Sequence, residues 1–158
     1  MNLRHLFDNL EEYLCVGLLV VMSVAILCQI LFRFVFELPL RWTEELGIYV
    51  LSWVSFMGAS VGVKRWAHIG VEAFVLLLPK KLQSATKILS LVLSVGFFAI
   101  MVYFGLEIVN KQIVTGQVSP AMRIPMYYAY LSVPVGGAFM LIRTLQLLHV
   151  RLTRGGAK

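Results

Sequence analysis

Residues 13–32 read YLCVGLLVVMSVAILCQILF, a run without a single charge. As a helix it is long enough to cross a hydrocarbon layer of roughly 30 Å. Three more runs of the same kind follow at 46–63, 88–106 and 124–142. With their interfacial flanks, the predicted spans cover 13–36, 42–63, 86–107 and 124–143 of a single membrane domain, 1–158. The first run is preceded by Asp8, Glu11 and Glu12, exceeds a secretory h-region and has no A-x-A-like site after it. It reads as a retained helix rather than a cleaved signal.

Composition agrees. The 158 residues are 59% hydrophobic and 14% charged, against roughly 45–50% and about 25% in soluble domains. Mean hydropathy is +0.84. A soluble chain of this size has too little interior to hide that much apolar surface. The expected fold is an all-α integral membrane protein: four transmembrane helices in an antiparallel bundle, with a cytoplasmic interfacial helix between the second and third.

The net charge is +6, but the basic residues sit between apolar runs and form no aromatic-interleaved patch. Nucleic acid is therefore not an expected partner. Of the fourteen Lys and Arg residues, ten fall at the N-terminus, the second loop and the C-terminus, and four in the first and third loops. The positive-inside rule then places both termini in the cytoplasm.

The second loop carries a further apolar segment, 67–79, with Glu72 inside it and Lys80-Lys81 after it. It is too short to cross. Two placements stay open: a helix lying in the cytoplasmic interface, anchored by Lys64, Arg65, Trp66, Lys80 and Lys81, or a cytoplasmic extension of the second span. In the third loop, Gly116, Pro120 and Pro125 mark an irregular external connection. Pro134 is predicted to kink the fourth span, while Gly136 and Gly137 permit close helix approach.

Chemistry has few places to reside. A charge at the centre of a span costs roughly 2.5–3.5 kcal/mol on insertion scales, and no span here carries one. Cys15 and Cys28 lie thirteen helical residues apart, roughly 20 Å, too far for a disulfide. His5, His68 and His149 lie at or beyond span ends, and no metal-ligand spacing, nucleophile elbow or P-loop occurs. Catalytic residues, metal ligands and a cofactor are not expected. Gln29, the one strongly polar residue deep in a span, is expected to bond a neighbouring helix.

Polar groups concentrate at the first hairpin, where Arg33 precedes Phe36-Glu37-Leu38-Pro39 and the chain returns through Arg41-Trp42-Thr43-Glu44-Glu45. One reading is a hairpin stabilised by ion pairs, Arg41 with Glu45 one turn on and Glu44 with Arg33. The other is an acidic pair that docks a partner. Trp53 lies inside the second span with an indole N–H to satisfy. Ser52, Ser55, Gly58, Ser60 and Gly62 give that helix a small-residue surface suited to tight packing.

Arg33, Trp42-x-Glu44-Glu45, Trp53, Gly58 and His68-Ile69-x-Val71, followed by Ser119-Pro120-Ala121-Met122-x-Ile124-Pro125 and Tyr130-Leu131-x-Val133-Pro134-Val135-Gly136, resemble the small, DctQ-like membrane subunit of TRAP transporters, the tripartite ATP-independent periplasmic transporters. The resemblance covers essentially the whole chain. It implies a non-catalytic scaffold of a sodium-coupled secondary transporter that imports organic acids across the bacterial inner membrane. Its implied partners are a large membrane subunit, which holds the sodium and substrate sites, a periplasmic substrate-binding protein, and membrane lipids. Arg33, Trp42, Glu44, Glu45, Trp53, Gly58 and His68 are the implied subunit-packing residues. The chain stops after Arg154-Gly155-Gly156-Ala157-Lys158, so the separate rather than the fused form is expected. A free-standing four-helix channel or exporter, and a haem- or quinone-linked redox subunit, are the competing readings.

Overall fold

The computed structural model of the chain describes residues 10–38, 40–64 and 80–155. They form α1 (Leu10–Val35), α2 (Arg41–Lys64), α3 (Lys80–Thr115), a short α4 (Tyr127–Tyr130) and α5 (Ser132–Gly155). Four helical stretches are long and apolar enough to span a membrane, with α4 and α5 together making the fourth. The expected interfacial segment 67–79, with Arg65, Trp66 and His68, lies outside the described residues. So do the side chains of Lys64, Lys80 and Lys81.

Helices α1 and α3 bury only a narrow seam, whereas α5 has no exposed position from 132 to 141. On α1 the less exposed positions include Cys15, Leu18, Met22, Ala25 and Gln29, alternating three and four residues apart as in a coiled-coil stripe. On α3 the same alternation runs through Leu91, Val95, Phe98, Val102, Gly105, Val109 and Gln112. The remaining apolar side chains point outward, among them Val20, Leu27, Phe34, Leu93 and Phe97. In water such a surface would drive aggregation; in lipid it is the solvated surface.

The packing order is α1–α2–α5–α3. Among the described residues α1 touches only α2, and α2 does not touch α3; both α2 and α3 pack on α5. The helices therefore lie in a row rather than in a closed bundle. Antiparallel neighbours hold for α1/α2 and α3/α5, but α2 and α5 run parallel. The contacts fix that direction, since Tyr49 meets Ile124, Trp53 meets Tyr128 and Phe56 meets Gly136. This is the direction expected of the second and fourth spans when consecutive spans are antiparallel. Helices α2 and α3 both pack on α5, and Val63 of α2 and Phe98 of α3 share one buried cluster with Met140 of α5.

Small residues make the seams tight. A Cβ on Gly136 would lie 2.5 Å from the Phe56 Cβ, and one on Gly105 3.1 Å from the Pro134 Cδ. The core cluster, toward the C-terminal end of α2, is Val63, Phe98 and Met140, with Phe56, Met101, Leu141 and Leu147 packed around it.

Pro134 acts three residues earlier than a kink at its own position. Its missing N–H and its ring leave no place for the carbonyl of Tyr130 in a continuous helix. The helix accordingly breaks between α4 and α5 at Leu131, and the Ser132 hydroxyl takes the Ala129 carbonyl at 2.6 Å. Helix α3 extends further than its apolar run, to Thr115. At 36 residues it is about 54 Å long and outreaches the bilayer or tilts within it. Gly116 ends it with φ +63°, its N–H shared by the carbonyls of Gln112 and Ile113, a left-handed cap that glycine adopts without strain.

Candidate functional site

The loop 116–126, between α3 and α4, is a small hairpin. Val118 and Pro125 form an isolated antiparallel bridge. The Ser119 N–H donates to Ile124 O, and the Met126 N–H to Gln117 O, both at 2.9 Å. Ser119 is fully buried, and its hydroxyl accepts the Ile124 N–H at 3.3 Å. Arg123 turns the tip with φ +57°, a conformation a non-glycine residue adopts only when its surroundings hold it there.

Helix α2 supplies that hold. Glu45, Tyr49 and Trp53 stand at i, i+4 and i+8, hence on one helix face, and each reaches the loop or the turn after it. The Glu45 carboxylate accepts the Ala121 N–H at 2.7 Å on Oε1 and the Met122 N–H at 2.8 Å on Oε2. The Tyr49 hydroxyl donates toward the carbonyls of Ile124 (3.3 Å) and Pro125 (3.5 Å). The Trp53 indole N–H donates to Tyr128 O at 3.0 Å. The Ala121 and Met122 amides, which have no backbone partner of their own, are thus matched to a side chain, and bonds from amides to a carboxylate are the strongest of the set. One face of α2 clamps the start of the fourth span.

Glu44 points the other way. Its Oε1 accepts the Gln29 side-chain amide of α1 at 3.2 Å, the interhelical bond expected of Gln29. The expected pairing of Arg41 with Glu45 is not formed: the loop amides take both Glu45 oxygens. Arg33 and Arg41 make no ion pair with either glutamate among the described residues. They line, with Glu37, Glu44, Glu45 and Pro120, an open cleft of about 810 Å³ at the end of the molecule where α1 turns into α2. Glu37, in the hairpin turn, has φ +54°.

Trp42 is largely exposed, at 43%, at the first turn of α2. Gly58 is exposed, and no atom lies within 4 Å of where its Cβ would stand. Its small size thus serves no contact among the described residues. Of the residues singled out from sequence, the structure joins Glu45 and Trp53 in one clamp, places Arg33 and Glu44 in the adjoining cleft, and leaves Trp42 and Gly58 facing outward. His68, Arg65 and Trp66 fall outside the described residues. Tyr49 was missed. The signal that finds it is its position midway between Glu45 and Trp53 on one face.

Comparison with known proteins agrees with the sequence resemblance. Residues 22–154 match the family described as tripartite ATP-independent periplasmic transporters, DctQ component. A sialic acid TRAP transporter small permease protein of Vibrio cholerae is 30% identical over 154 residues, which are 91% of this chain and 82% of that protein. The isethionate TRAP transporter permease protein DctMQ of Oleidesulfovibrio alaskensis is 30% identical over 73% of this chain. The sialic acid permease protein SiaT of Haemophilus influenzae is 26% identical over 94% of it. This chain spans only 18% and 24% of those two longer relatives.

Proposed function

Since this chain belongs to the DctQ family of tripartite ATP-independent periplasmic transporters, a family of non-enzymatic transport components, we propose that it acts as the fixed scaffold beside a large membrane subunit. In this reading the complex sits in the bacterial inner membrane and imports an organic acid coupled to sodium. A periplasmic binding protein delivers the solute. Sodium and solute bind the large subunit, and this chain holds no cofactor.

The observation that carries the reading is the clamp of Glu45, Tyr49 and Trp53 on the 119–128 segment. Its strong polar groups are committed to fixing backbone, which suits a frame rather than a moving carrier. The sequence supports this: between Glu45 and Glu107 the one acidic residue is Glu72, and none follows Glu107. A carrier of cations or protons through this chain would need such groups at mid-membrane. Pairing with a larger membrane protein is supported by the two long permease relatives, in which the matched region is a minor part of the chain.

Within this reading, Trp42 and Gly58 are the residues left for the partner. Gly58-x-x-x-Gly62 is a helix-approach motif, and glycine in a helix costs about 1 kcal/mol relative to alanine. At Gly58 nothing among the described residues repays that cost. The solute is not singled out by likeness, because relatives named for isethionate and for sialic acid are equally 30% identical. A free-standing channel would need a path enclosed by the helices, and helices in a row enclose none among the described residues. The test is reconstitution: uptake is expected only with the large subunit and binding protein present, and uptake by this chain alone overturns the proposal.

A further inference from the structure

The packing of α2, α5 and α3 sets the depth of their residues. Phe56 of α2 meets Gly136 of α5, and Glu45 meets Ala121 and Met122. The uncharged runs 46–63 and 124–142 therefore lie alongside each other, and Lys64 and Arg143 end them at one level. Together they mark one slab of hydrocarbon, about 27 Å deep. Helix α3 takes its register from the same α5: a Cβ on Gly105 would meet Pro134, and one on Gly137 would meet Met101 and Val102. At about 1.5 Å per residue from these contacts, Tyr103 stands level with Phe56, in the middle of the slab. Glu107 stands level with Ser52, about 10 Å deeper than Glu45. Lys111 follows one turn nearer the Glu45 end. The uncharged run of α3, 88–106, is thus set toward the Lys64 end, and the polar residues after it enter the slab.

Those residues share one face. Tyr103, Glu107, Asn110, Lys111 and Val114 fall at i, i+4, i+7, i+8 and i+11, opposite the buried seam of Gly105 and Val109, and all five are exposed. Since α3 ends the row, the face points away from α5 into the membrane. Among the described residues no hydrogen bond or ion pair engages the Tyr103 hydroxyl or the side chains of Glu107, Asn110 and Lys111. Lys111 reaches the headgroups along its own stem. The Tyr103 hydroxyl and the Glu107 carboxylate are too deep and too short to do so, and groups of this kind persist in hydrocarbon where a protein pairs with them.

A second copy of this chain does not supply the pairing. Two copies inserted in the same direction are related by an axis along the membrane normal, which sets Glu107 against Glu107 at one depth. Nor does the stretch between α2 and α3 supply it. Its sixteen peptide steps from Lys64 to Lys80 reach at most about 58 Å, all of which is used in passing from Lys64 to the depth of Glu107 and back along α3 to Lys80.

We propose that this face of α3 is a polar docking surface within the membrane for one helix of the large membrane subunit. That helix presents a basic or amide group to Glu107 and the Tyr103 hydroxyl, and an acceptor one turn further out to Lys111. The partner's identity rests on the transporter reading above, whereas the polar character of the contact rests on the depth and face of these residues.

The experiment uses the tagged full chain in its native membranes, with photoreactive p-benzoylphenylalanine replacing Ile100 or Val114. Both flank the polar stripe on the same exposed face and leave it intact. Adducts at both positions are expected to map to one membrane-spanning segment of the large subunit, with a basic or amide side chain between the two points. Glu107→Leu, a change that lipid favours, is expected to lower the adduct yield several-fold with insertion and helix content unchanged, and Glu107→Gln to lower it less. Adducts with lipid alone, while the large subunit still co-purifies, overturn this surface and leave the transporter reading standing. Failure of the large subunit to co-purify with the wild type overturns both. Adducts between two copies of this chain, or a full adduct yield in Glu107→Leu, also overturn the proposal.

Discussion

Replacing Gly136 by alanine tests the parallel α2–α5 seam, the closest helix approach made by any glycine among the described residues. The new Cβ would stand 2.5 Å from the Phe56 Cβ and 3.2 Å from the Phe56 carbonyl carbon and oxygen. Because Phe56 Cβ and backbone cannot rotate away, the helices must part by about 0.9 Å to restore the 3.4 Å of ordinary contact. A radial gap of 0.5–1 Å forfeits roughly a quarter to a half of each dispersion contact along the seam, and overpacking of this kind costs about 1–3 kcal/mol. Alanine recovers about 1 kcal/mol of helix propensity over glycine, so the net loss is expected to be about 0–2 kcal/mol. Gly58→Ala is the matched control: nothing lies within 4 Å of its Cβ, so the propensity gain of up to about 1 kcal/mol is unopposed. Thermal unfolding in nanodiscs, followed by circular dichroism, should therefore rank Gly58→Ala at or above the wild type and Gly136→Ala below Gly58→Ala. Gly136→Val, with two further methyl groups at the same contact, should fall further. Equal stability of all four proteins would refute the close α2–α5 approach.

Three further outcomes follow from the site. Glu45→Gln keeps one acceptor but turns an amide donor toward the other backbone N–H, so hydrogen exchange at Ala121 and Met122 should speed up several-fold while α1 and α3 are unchanged; unaltered protection would mean the carboxylate does not hold the loop. Gly58→Leu should leave insertion and helix content intact and lower recovery of the large subunit several-fold; full recovery would remove Gly58 from the interface. Single cysteines at 69–78 should react with an impermeant maleimide only from the cytoplasmic side, and external labelling would reverse the orientation drawn from the basic residues.

Much of this was legible in the chain because lipid imposes simple rules. Four uncharged runs declared four spans, and Gln29, too polar to leave unpaired in hydrocarbon, declared an interhelical bond that the structure supplies through Glu44. Gly136 and Gly137 marked a close approach, though not to which helix. Helix order was not legible: every span has outward apolar residues enough to hide a narrow seam anywhere on its circumference, so hydropathy does not say which neighbour it meets. The reading of Glu45 failed for a related reason. Arg41 lies one turn away in sequence, whereas the amides of Ala121 and Met122 that capture the carboxylate are 76 and 77 residues on. Local spacing rules see the first and are blind to the second. Tyr49 escaped for the same reason, since a tyrosine near a span end reads equally well as an interface anchor, and its partners are distant backbone carbonyls. Pro134 was noticed, but its effect is felt at the carbonyl four residues earlier, which moved the break to Leu131.

The central claim is that this chain is one part of a larger membrane transporter. The most direct test is tagged purification from native membranes in mild detergent, with mass spectrometry of whatever remains bound. The account predicts a stoichiometric, much larger polytopic partner that is retained by the wild type and depleted by Gly58→Leu. Recovery of the chain alone, or only as its own oligomer, would contradict it.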